Sequence, residues 1–215
     1  MSFLEGVSPG SEVIVVDDGS TDATSEIVRR VFAPEGNIAT RLIQRPVNRG
    51  KGAAVRVGLS EAAREIALFS DADFSTPIEE APKLLEPIFA GELDVAFGSR
   101  ALDRRLIGNR QVWYREQGGR LFNLAVRFAT GLPFWDTQCG FKAFRLDVFR
   151  PILARAQSDG FGFDVELLYL AERAGLRLRE IPVRWNHCDG SKVRFLRDSL
   201  EMLQEIIALR SRRMS

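Results

Sequence analysis

An α/β fold, with a mostly parallel sheet and helices on both faces, is predicted by three features of this 215-residue chain. Apolar runs of strand length alternate with segments of helical period through the first half. Two acidic clusters stand where such runs end, and ligands of open α/β sheets bind at the carboxyl ends of strands. The composition, 45% hydrophobic and 27% charged, suits one large domain with a full core.

The run "EVIVVDD" (12–18) is continuously apolar until Asp17 and Asp18, as expected of a strand buried on both faces. Ile27, Val28, Val31 and Phe32 follow at helical spacing. "TRLIQRP" reads as a short strand, "GKGAAVRVGLSEAAREI" as a helix opening on glycines, and "IALFSD" as a strand. "IEEAPKLLEPIFAG" reads as a helix despite its prolines, and "DVAFGS" as a further strand. After Arg100 come a basic loop, a helix from about Val112 to Thr130, and the stretch "LPFWDTQCGFKAF". A helix beginning near Asp164 leads to the strand "LREIPVRW". The last segment, Phe195 to Leu209, sets Leu196, Leu200, Leu203 and Ile207 on one face, with Met202, Ile206 and Leu209 beside it. That is an amphipathic helix with a wide apolar side.

A net charge of +1, from 30 basic and 29 acidic residues, carries no global signature of a nucleic-acid binder. Locally the balance differs. From Ser99 to Thr130 seven arginines face only Asp103 and Glu116, and from Lys192 onward six basic residues face three acidic ones. Such fields suit phosphate groups or an anionic lipid surface, although a solvated face with ion pairs is the commoner meaning of any single stretch. Cys139 and Cys188 cannot form a disulfide framework, and with His187 they make a poor zinc site, so a reducing, cytoplasmic compartment is expected. No stretch approaches the ~20 apolar residues of a membrane span, so any membrane contact is expected to be peripheral.

Three motifs could carry chemistry. In "VVDDGSTD" a helix cap by Ser20, Thr21 or Asp22 accounts for the later residues but not for paired aspartates at a strand end. "NRGKGAA" offers backbone N–H groups and Lys51 to an anion at a helix start, but it lacks the first glycine of a P-loop. "DAD" places Asp71 and Asp73 on alternate residues, where both can lean toward one oxygen-preferring cation such as Mg²⁺ or Mn²⁺. An isolated D-x-D is common; two acidic strand ends in one sheet are not.

Taken together, "VIVVDDGSTD", "NRGKGAAVRVGL", "FSDADFSTP", "VAFGSR", "DTQCGFKAF", "FDVELLYLA" and "IPVRWNHCDGSKV" resemble, in that order, glycosyltransferase family 2. The resemblance is greatest to its dolichyl-phosphate β-glucosyltransferases and bacterial polyprenyl-phosphate members, and runs from about Glu12 to Val193. It implies an A-type, Rossmann-like glycosyltransferase fold over residues 1–193, followed by an amphipathic helix and basic tail at 194–215. It also implies a metal-dependent hexosyltransferase that moves glucose, with inversion, from UDP-glucose to a polyprenyl or dolichyl phosphate at the cytoplasmic face of a membrane. By the same resemblance Asp17, Asp18, Lys51 and Asp71 would meet the donor. Asp73 would hold Mg²⁺ or Mn²⁺, with Ser75 a weaker ligand than the glutamine common two residues on. Arg100, Arg115 and Lys192 would hold the acceptor phosphate, and Asp136 matches a position proposed as a base. A dianionic lipid phosphate scarcely needs a base, so organising the arginine site or capping a turn are the other readings of Asp136. Asp164 and Glu166 could be helix-cap and surface residues.

The resemblance further implies an apolar opening strand between those ending in "VVDD" and "DAD". Only eleven residues precede Glu12, so a shortened domain lacking that strand, with an open sheet and weak nucleotide-sugar binding, is expected. Two rivals stay open at this level. A phosphoacceptor signalling domain would use the aspartates but leaves the second half unexplained, and a degenerate transferase would bind lipid phosphate without turnover.

Overall fold

The structure is a computed structural model that describes residues 10–32, 38–108, 113–186, 202 and 205–206, with 113–116 and 120 described in their backbone only. The chain alternates as its periodicity predicts. β1 (Glu12–Asp17), α1 (Thr24–Val31) and β2 (Ala39–Gln44) form a parallel unit, registered from Glu12 opposite Ala39 to Asp17 opposite Gln44. Next come α2 (Lys51–Glu61), β3 (Ile66–Ser70), α3 (Ala81–Phe89) and β4 (Val95–Ser99). α4 (Trp113–Thr130), β5 (Phe141–Arg145), α5 (Leu146–Arg155), α6 (Phe163–Arg173) and β6 (Leu178–Pro182) complete the order.

The second sheet runs β3-β5-β4-β6. β5 is antiparallel to both β3 and β4, while β4 and β6 are parallel, so three strands run one way and β5 alone against them. β5 and α5 are the elements that periodicity did not reveal. "FKAFR" passes straight into the helix with no turn residue between them, and a lysine interrupts its apolar run.

Side-chain alternation assigns the two faces. Val95 and Phe97 of β4 and Phe144 of β5 enter a core shared with α2, α4, α5 and α6. Ala96, Phe141 and Ala143 point the other way, onto Ala81, Leu84 and Ile88 of α3. Met202 and Ile206, the described members of the C-terminal apolar stripe, are buried in the first of these cores. Ile27 and Val31 of α1, by contrast, are exposed. Among the described residues β1 pairs only with β2 and β3 only with β5, and α2 packs on both.

At the start of β4 Asp94 accepts hydrogen bonds from the Arg177 backbone N–H, Nε and Nη2 at 2.9, 3.0 and 2.9 Å. These hold its carboxyl at about 2, below the ordinary 3.8. A carboxyl lowered in the folded state stabilises fully above its unfolded pKa, and that stability fades as pH falls toward its folded one. Arg177→Gln is therefore expected to lower thermal stability most near neutral pH and progressively less below pH 4, so that parent and variant converge toward pH 2, as circular dichroism melts across an acid titration would show.

Candidate active site

Asp17 closes β1, its Oδ1 accepting the Ser20 backbone N–H at 2.8 Å and its Oδ2 the Ser25 hydroxyl. Hydrogen bonds from Ser20 and Ser25 hold the carboxyl at about 2, so it is ionised throughout the neutral range. Asp18 shapes the facing loop. One of its oxygens takes Arg45 Nη1 at 2.7 Å, and the other takes the N–H groups of Arg49 and Gly50 at 3.1 and 2.7 Å. The start of α2 is not an open anion cradle as the glycines suggested, because the 158–160 segment lies against it. Ala53 N–H donates to the Asp159 carbonyl at 3.2 Å, and a Cβ on Gly52 would sit 2.4 Å from the Ser158 carbonyl oxygen. The glycines serve close packing there.

That same helix start delivers Lys51 to Asp71 at the end of β3, with Nζ 2.7 Å from Oδ1 and 3.0 Å from Oδ2. Burial pulls the Lys51 pKa down, but Asp164 and Asp71 raise it more, so the ammonium keeps its proton. The rings of Phe69 and Phe163 flank it at 5.6 and 5.7 Å. Asp73 lies two residues further on, exposed, with Oδ1 accepting the Ser75 N–H at 2.9 Å. The turn is closed by Phe74 N–H on the Asp71 carbonyl at 3.1 Å, with Phe74 at φ 49°, a left-handed conformation a bulky residue rarely adopts.

Among the described residues no group of three or more ligand side chains gathers as a closed metal cage. The arrangement nonetheless fits Mg²⁺ or Mn²⁺. Such ions are commonly held by one or two carboxylates, water and substrate phosphates, and Asp73 offers a solvent-facing carboxylate beside the Lys51–Asp71 pair. Ser75 is buried and its carbonyl accepts the Asn186 N–H at 2.8 Å.

Of the acceptor candidates, Arg100 stands at a neighbouring strand end. Arg100, one residue past β4, donates through Nε and Nη2 to the two oxygens of Asp136, each at 2.7 Å, and its N–H adds a third bond at 3.0 Å. Burial alone would raise the Asp136 pKa; the Arg100 charge outweighs it and keeps the carboxyl below its usual range. Trp185 lies 5.6 Å from the guanidinium. Glu180 of β6 anchors the turn from below, taking the N–H groups of Trp135 and Asp136 at 2.9 and 2.8 Å and the Ser99 hydroxyl at 2.6 Å. Arg115 is a residue of α4, and Lys192 lies outside the described residues.

One short segment joins the two halves. From Asp136 the chain runs through Thr137, Gln138 and Cys139 to Gly140, whose carbonyl accepts the Asp71 N–H at 2.9 Å. A Cβ on Gly140 would meet Asp71 Oδ2 at 2.0 Å, so only glycine lets this turn seat against the carboxylate. Beneath it Lys142, fully buried, donates to the Cys139 carbonyl at 2.6 Å and to Asp164 at the start of α6. Sequence reasoning missed Lys142 and Glu180, and it read Asp164 as a helix cap. The available signal was a lysine inside the apolar "GFKAF" and an aspartate heading an apolar helix, since opposite charges in buried runs need one another. Glu166, expected on a helix surface, is buried and takes the N–H groups of Gln157 and Ser158 at 2.9 and 2.7 Å.

Carboxylates and a lysine at the carboxyl ends of parallel strands, with a bidentate arginine beside them, stand where open α/β folds take their ligands. Residues 4–153 match the family model "Glycosyl transferase family 2", and the chain belongs to that family. It is 38% identical over 205 residues to dolichyl-phosphate beta-glucosyltransferase of Drosophila melanogaster, covering 90% of this chain and 62% of that protein. It is 35% identical over 208 residues to the Homo sapiens protein of the same name, covering 94% and 64%. The chain thus spans less than two thirds of the length of these relatives. The fold is the A-type glycosyltransferase fold. It superimposes on glucosyl-3-phosphoglycerate synthase from Mycobacterium tuberculosis in complex with Mn²⁺, UDP-Glc and glycerol 3-phosphate with a TM-score of 0.65 and 22% identity, over 97% of this chain and 72% of that one. No helix among the described residues is long and apolar enough to cross a membrane.

Proposed function

We propose that the domain transfers glucose from UDP-glucose, with inversion, to the phosphate of a polyprenyl or dolichyl lipid in the presence of Mg²⁺ or Mn²⁺. The observation that carries this reading is the Asp136–Gly140 turn, which ties a lysine–carboxylate site for the donor to an arginine–carboxylate site for the acceptor. The curated relatives' name supports glucose and dolichyl phosphate.

In this mechanism Lys51 faces the negative charge that grows on the departing diphosphate, and Asp71 fixes the ammonium in place. Asp73 would hold the divalent ion, which neutralises charge on the leaving group when bound. Asp17 and Asp18 keep the two loops around the nucleotide in register. Arg100 presents its guanidinium edge to the lipid phosphate, and one phosphate oxygen attacks the anomeric carbon opposite the nucleotide, inverting it. With a second pKa of about 6, that phosphate is already largely dianionic at neutral pH. Asp136, with both oxygens held by Arg100, therefore acts as the organiser of the arginine and not as a proton acceptor.

The test is transfer kinetics with both substrates varied. Arg100→Lys keeps the charge but loses the bidentate contact, and it is expected to raise the acceptor KM about tenfold or more with the UDP-glucose KM little changed. Arg115→Ala is expected to act in the same direction. Loss of donor binding with acceptor binding intact would reverse the assignment. Metal-dependent UDP-glucose binding with no turnover would leave a degenerate transferase.

A further inference from the structure

We propose that the outer face of α4 is a bilayer-docking surface that seats the domain on an anionic membrane beside the acceptor site. The inference rests on the polyprenyl-phosphate reading for its orientation, and on the helix itself for its existence. Along α4, Phe122 and Val126 are buried in the core, as an amphipathic helix requires. The opposite side is apolar too. Leu121, Leu124 and Phe128, at spacings of three and four residues, form one stripe exposed to 69%, 58% and 89%. Three large apolar side chains so exposed on one stripe form a patch, which scattered surface leucines do not.

The rim of the patch identifies its occupant. Arg127 flanks the stripe and lies 3.7 Å over the ring of Trp135, itself 54% exposed. An amphipathic tryptophan carrying a guanidinium beside an aliphatic and aromatic stripe is the side-chain set that settles at the headgroup level, with the apolar groups below it. The segment from Ser99 to Thr130 carries seven arginines against two acidic residues, and Arg127 stands beside the stripe itself, so anionic headgroups are complementary to this part of the chain. The patch is also continuous with the acceptor site, because Trp135 directly precedes Asp136, the partner of Arg100. A lipid phosphate held by Arg100 would then leave its chain in the bilayer that the stripe enters. The described residues of the C-terminal stripe, Met202 and Ile206, are buried in the core.

The experiment is flotation of the full chain with phosphatidylcholine vesicles doped with phosphatidylserine and free of any polyprenyl phosphate, so that binding is read apart from catalysis. Leu124→Glu and Phe128→Glu, both at exposed positions, are expected to weaken vesicle partitioning about tenfold each. Arg127→Gln should lessen the gain from phosphatidylserine. Transfer to a short, water-soluble acceptor phosphate should be unchanged in all three. Parent-like flotation of both glutamate variants, or no flotation of the parent, overturns the surface. So does conversion of a parental dimer to monomer, which would assign the stripe to a second copy, or an equal loss of turnover on the soluble acceptor. Flotation that follows the prediction in a chain without transferase activity would retain the surface and reject the catalytic reading.

Discussion

An Asp73→Asn variant is expected to fold like the parent and to lose glucose transfer by about a hundredfold to a thousandfold, the scale on which removing one preorganised charge-stabilising group acts. The side chain is exposed at the end of β3, so the substitution leaves no buried polar group unsatisfied. Asparagine preserves the size of the side chain and its acceptor for the Ser75 N–H. What it removes is the charge offered to a divalent ion that would share the donor diphosphate. The loss should therefore fall on turnover and on Mn²⁺ affinity together, measured by transfer rates across a metal titration. Near-parental rates at low metal would show that Asp73 does not hold the ion. Asp71→Asn should behave differently: it strips Lys51 of its fixed partner, so the effect should fall on UDP-glucose affinity even without metal.

The carboxylates of the proposed donor half were legible in the sequence because strand ends are legible. "EVIVVDD" and "IALFSD" announce where apolar runs stop, and an aspartate at such a stop has a limited set of uses. The proposed acceptor half was legible only through resemblance. Arg100 and Asp136 are thirty-six residues apart and meet because β4, β5 and β6 bring the ends of two connections together, a tertiary fact that no local period records. β5 was hidden for a physical reason as well. Reversed between β3 and β4 and buried on both faces, it offers no alternation to read, and its Lys142 disguises it as a polar loop. The charge is tolerated because Asp164 waits on the face toward which the pleat turns it.

That pair supports the second large prediction. Lys142→Met leaves the Asp164 carboxylate buried without its cation, and breaking one side of a buried pair costs about 3–5 kcal/mol, a large share of the 5–15 kcal/mol that holds a typical domain together. Burial already pushes the Asp164 carboxyl up. Without Lys142 it should rise further, and a group whose folded pKa exceeds its unfolded one stabilises at low pH and loses that stability as pH rises through the folded value. Lys142→Met should thus be less unstable near pH 5 than near pH 8, the reverse of ordinary acid unfolding. The double variant Lys142→Met, Asp164→Leu removes both charges and should recover most of the lost stability in urea titrations, since apolar replacement of a buried pair is often neutral or better. If stability were the pair's whole purpose, that variant would also be a full enzyme. It should not be: Asp164 helps keep Lys51 charged, and Lys142 pins the Cys139 carbonyl at the turn that seats Gly140 on Asp71. A folded double variant with raised KM for UDP-glucose is the expected result, and one with parental KM and turnover would reduce the pair to packing.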